Sequence, residues 1–72
     1  MSNNNYLSNI GTNIKKIRLE KGISQDRLSK MADLSLNTIV NVESGVSPNP
    51  TIDTLISITK ALGVGIDDVV KE

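Results

Sequence analysis

Few residues in this chain could do chemistry by themselves. The carboxylates Asp67, Asp68 and Glu72 crowd the carboxyl end, where a divalent cation would need several such oxygens. Three acids on one terminal turn more commonly form a solvated cap that complements a helix dipole. Tyr6, the single aromatic residue, has no neighbouring base, and the stretch GVGIDD lacks the lysine and the preceding strand of a phosphate-cradling loop. The absence of Cys and His excludes disulfides, thiolate chemistry, zinc sites and imidazole acid/base catalysis. No catalytic residue, metal or cofactor is expected, and the chain does not read as an enzyme.

The segment SLNTIVNVESG, Ser35 to Gly45, raises chemistry of another kind. On a helix, Ile39 and Val42 are one turn apart and point to one side, whereas Leu36 and Val40 lie well around the cylinder from Val42. With 72 residues, the chain can bury only about 60% of its unfolded surface. Branched aliphatics on an outer face therefore mean that the face belongs to the core or that something docks on it.

Gly and Pro divide the sequence into the elements that must position this segment. Leu7, Ile10, Ile14 and Ile17 recur at helical spacing and Gly22 follows as a C′ residue, which gives a first helix over residues 8–21 behind a polar arm at residues 1–6. Ser24 offers an N-cap hydroxyl and Asp26 a first-turn negative charge for a second helix from Gln25 to Ala32, burying Leu28 and Ala32, with Met31 a further candidate for that face. Asp33, Leu34 and Ser35 make a turn too short for an antiparallel return, and Asp33 tolerates the left-handed conformation that such a bend needs. Ser35 caps a third helix, Leu36 to Ser44, which Gly45 ends. After the extended VSPNP loop, Thr51 caps a fourth helix with Leu55, Ile58 and Leu62 inward until Gly63. A fifth, short helix is expected over residues 66–71, so the fold class is all-α with five short helices around one aliphatic core in a single domain, residues 7–72.

Net charge is zero, but it is unevenly placed: residues 1–36 carry six cations and three acids, and residues 37–72 two cations and five acids. One half can thus face phosphates while the other faces solvent or a second subunit. The amino terminus lacks a signal peptide's basic flank and apolar run, and no 18 apolar residues run together, so a cytoplasmic protein with no membrane partner is expected.

Two short helices joined by a three-residue turn, the first opening with Ser-Gln and the second closing on Glu-x-Gly, make a helix-turn-helix. Over residues 10–70 the chain resembles the Cro/phage-repressor-like (Xre-type) DNA-binding family. The resemblance is carried by IGTNIKKIRLEKGISQDRLSKMA, then LSLNTIVNVESG, then PTIDTLISITKALGV followed by IDDVV. It implies a lambda-repressor-like domain that binds double-stranded DNA as a transcriptional regulator, most often a repressor, with the third helix in the major groove and dimers on pseudo-palindromic half-sites.

On that resemblance the outer stripe of the third helix meets the bases. Asn37 and Asn41 would offer donor and acceptor pairs to adenine edges, and Leu36 and Val40 would pack on thymine methyls, giving an A·T-biased site. Ser24, Gln25, Arg27, Ser44, Asn49 and Thr51 would hold the phosphates, and Arg18 and Glu43 would pair beneath the surface as scaffold. Ile66, Val69 and Val70 are the expected contact of a homodimer, unless all three simply close the core. No small-molecule ligand is evident.

Departures from the family pattern weaken the electrostatic side of this interface. Arg27 stands where a glutamate usually completes a capping box, Ser29 where Ala is usual, Asp33 where Gly is commonest, and Val46 where a cation often follows the glycine. The alternative function is a protein-interaction module of the same fold, an antirepressor or antitoxin-like partner using Leu36 and Val40.

Overall fold

The computed structural model describes residues 5–47 and 49–71, with side chains from residue 9 onward. Four helices follow in order: α1 (Asn5–Glu20), α2 (Gln25–Ala32), α3 (Leu36–Ser44) and α4 (Ile52–Leu62), and a 3-10 turn, Ile66–Asp68, comes last. Among the described residues there is no strand. α1 opens at Asn5, so Asn5 and Tyr6, assigned above to an arm, belong to the helix, and the rest of that arm lies outside the described residues.

Three hydroxyls set the starts of α2, α3 and α4. Ser24, Ser35 and Thr51 each accept from the backbone N–H three residues on, those of Arg27, Thr38 and Thr54, at 3.0–3.1 Å. The ends are set by left-handed residues, and one of these is not glycine: Asp33 closes α2 at φ 58, ψ 43. Its short polar side chain makes that conformation tolerable, and the chain turns sharply enough for α2 and α3 to pack on each other.

The fifth helix is replaced by the single turn. Asp68 and Val69 donate to the carbonyls three residues back, both at 3.0 Å, and the Asp68 carboxylate accepts from the Gly65 N–H at 2.9 Å. Two β-branched valines follow, which disfavour extension of so short a helix. The amide of Asn13 on α1 then donates to the carbonyls of Val69 and Lys71 at 2.9 and 2.7 Å, so α1 satisfies these groups in place of a further turn.

Ile10, Ile14, Leu28, Ile39, Val42, Leu55, Ile58, Leu62 and Val69 form the core. α1 packs on α3, and Gly11 is the reason it can come so close. A Cβ at Gly11 would overlap the carbonyl oxygen of Val42 and lie 2.9 Å from that of Glu43.

Candidate nucleic-acid interface

α3 has two sides with separate tasks. Ile39, Val42 and Glu43 are buried, whereas Leu36 and Val40 remain 43% and 36% exposed. Asn37 and Ser44 are exposed and Asn41 is half-buried, and among the described residues nothing pairs with either asparagine amide. The segment's outer aliphatics therefore do not belong to the core. With the asparagines they form a polar and aliphatic stripe on a helix, an element that a major groove admits.

The residues expected at phosphates differ in how free they are. Ser24, Arg27, Asn49 and Thr51 are exposed. Their hydroxyls are partly engaged: Thr51 Oγ1 also lies 3.0 Å from Thr54 Oγ1, and Ser44 Oγ donates to the Asn41 carbonyl at 3.2 Å. What remains available to an anion is the free N–H groups at the starts of α2 and α4 together with the Arg27 guanidinium. α3 itself contains no cation, so positive charge must come from α1 and α2.

Gln25 is held differently from the expected phosphate contact. Its Nε2 donates to Glu43 Oε1 at 3.0 Å. The same carboxylate takes Arg18 Nε at 2.7 Å and Nη2 at 2.9 Å, and Arg18 Nη1 donates to the Ile23 carbonyl at 2.8 Å. Four donors thus converge on Glu43 and Ile23, tying α1, the turn before α2, α2 and α3 together beneath the exposed stripe. The Glu43 hydrogen bonds raise the Arg18 pKa above its usual value, against the opposing effect of burial.

The terminal segment offers less than was expected of it. Val69 is fully buried in the core of the single chain and has no surface to give a second copy, while Ile66 and Val70 are half-buried. Of two further positions that matter to the fold, only one carries a signal in the sequence. Gly11 sits inside a helical pattern where glycine costs about 1 kcal/mol relative to alanine, which points to a close approach. Asn13 had no such mark, because its partners are backbone carbonyls at the far end of the chain.

A family model described as helix-turn-helix matches residues 14–69, well over half of the chain. The chain belongs to the Xre-type helix-turn-helix family. The domain is similar to the uncharacterized HTH-type transcriptional regulator y4dJ of Sinorhizobium fredii, 34% identical over 55 residues that cover 76% of this chain and 70% of that protein. It is also similar to the immunity repressor protein of Bacillus phage phi105, 33% identical over 63 residues, which are 88% of this chain but 43% of the repressor. Among solved structures, the wild-type restriction-modification controller protein C.Esp1396I superposes with a TM-score of 0.78 at 34% identity, covering 94% of this chain and 96% of that one. The Xre-type domain is thus a DNA-binding transcriptional regulator, of a family defined by DNA binding rather than catalysis. Among its described residues no helix is long and apolar enough to cross a membrane.

Proposed function

We propose that this regulator is a cytoplasmic repressor that binds as a homodimer to a pseudo-palindromic, A·T-biased site, with α3 of each copy in the major groove. The observation that carries this reading is the exposed stripe of Leu36, Asn37, Val40 and Asn41, which the later helices leave uncovered. Asparagine amides match the adenine edge, and the aliphatics match thymine methyls. Ser24, Arg27, Ser44, Asn49 and Thr51 serve as phosphate contacts beside the stripe, while Gln25, tied to Glu43, braces α2 on α3. Selection from random duplexes tests the reading: A·T-rich half-sites about one helical turn apart support it, and G·C-rich half-sites contradict it.

The exposure of Leu36 and Val40 on a helix without a cation also favours a second reading, an antirepressor-like or antitoxin-like module that binds protein through this face. Salt separates the two. Neutralising about four phosphates makes binding roughly a hundredfold weaker between 50 and 200 mM salt, whereas an aliphatic protein contact changes little.

A further inference from the structure

The outer side of α3 carries two parallel tracks. Leu36 and Val40, one turn apart and 43% and 36% exposed, form an aliphatic track, and Asn37 and Asn41 form an amide track beside it. The groups that select bases by charge are missing from this side. α3 contains no cation to seek guanine O6 and N7, and its one carboxylate, on Glu43, is buried against Arg18 rather than open to a cytosine amino group. An asparagine amide both donates and accepts, so at a pyrimidine it suits the thymine O4 as well as the cytosine amino group. What remains to tell pyrimidines apart is ring carbon C5, which carries a methyl in thymine and a hydrogen in cytosine.

Cytosine methylated at C5 shows the major groove the same methyl in the same place. We propose that Leu36 and Val40 read the pyrimidine methyl rather than the base, so that duplex DNA carrying 5-methylcytosine is a tighter ligand for this chain than the same duplex unmethylated. The inference rests on the reading above that α3 lies in the major groove, and it makes cytosine methylation a control on that site. Helical geometry sets where the methyls lie. A rise of about 1.5 Å per residue separates Leu36 from Val40 by about 6 Å along α3. That is close to two base steps of about 3.4 Å each, so each half-site should hold two methyl positions about two base pairs apart. Burying one methyl is worth roughly fourfold in affinity.

Base analogues test this on the unaltered protein. In the tightest duplex from random selection, each thymine is replaced in turn by uracil, which keeps the pairing edge and lacks the methyl. Binding should fall roughly fourfold at two positions in each half-site and stay unchanged at the others. At those two positions a C·G pair should bind more weakly than T·A, and methylating the cytosine at C5 should recover roughly fourfold. Leu36→Ala should abolish the response at one position and Val40→Ala at the other, with circular dichroism verifying that each variant folds. Uracil bound as tightly as thymine throughout, or methylated cytosine bound no better than cytosine, overturns the proposal. If the selected half-sites are nevertheless A·T-rich, the regulator reading stands on the asparagines alone. G·C-rich half-sites whose affinity rises on cytosine methylation support the proposal and sink the A·T bias. A selection that returns no duplex sinks the regulator reading and the methyl reading with it.

Discussion

Arg18 and Glu43 are joined by two parallel hydrogen bonds, 2.7 and 2.9 Å long, with only 7% and 3% of their side chains exposed. Removing one member of such a pair leaves the other charge buried and unpaired, at a cost of about 3–5 kcal/mol. In a domain this small that is a large fraction of the total stability. Glu43→Ala should therefore lower the denaturant midpoint sharply while any DNA binding that survives keeps its sequence preference. A midpoint unchanged from the parent would mean that the pair does not hold the helices together.

The Arg18–Glu43 pair should contribute the same stability between about pH 6 and 9. No histidine is present, and the hydrogen bonds to Glu43 raise the Arg18 pKa. A raised pKa contributes stability that is fully present below the unfolded value and lost only as pH rises through the folded one. For arginine both values lie beyond the alkaline end of this range. Denaturation curves at several pH values should superimpose, and a steep change near neutrality would require a titrating group that this network does not supply.

Gly11→Ala should destabilise although alanine is the better helix former. The propensity gain is about 1 kcal/mol, but the added methyl would overlap the Val42 carbonyl oxygen, and moving α1 off α3 also disturbs the Arg18–Glu43 pair. Overpacking of a close contact costs about 1–3 kcal/mol, so a net loss of up to roughly 2 kcal/mol is expected. A thermal melt at or above the parent's would show that the two helices can separate freely.

Asn37→Ala and Asn41→Ala should separate recognition from folding. Each amide lies on the outer stripe and takes no part in the core, so melting should shift by no more than about 0.5 kcal/mol in stability. Each variant should lose about 1–3 kcal/mol of discrimination at one base pair while retaining its phosphate contacts. Uniform weakening across all sequences would instead assign the amides to the backbone.

Much of this was legible from residue types whose effect is local. Ser24, Ser35 and Thr51 mark the starts of three helices because a hydroxyl there answers a free N–H, and Asp33, Gly45 and Gly63 mark the ends because the chain must turn left-handed. Spacing set Leu36 and Val40 apart from Ile39 and Val42 but left open whether the core covers them, and their place on an outer stripe, like the assignment of Arg18 to Glu43, came from the family resemblance. What spacing could not supply were contacts between distant segments. Val69 enters the core and Asn13 fixes the carbonyls beyond it, so the expected fifth helix stops after one turn. Gln25 turns to Glu43 because the ion pair leaves an acceptor within reach, a distance visible only once α2 and α3 are packed.

The division of α3 into two sides bears on how such a regulator changes over generations. Leu36, Asn37, Val40 and Asn41 share no position with Ile39, Val42 and Glu43, so under the proposed function the address to be read and the scaffold that presents it are written in different letters of one short word. A lineage can exchange the first set to reach new operators while the second stays still.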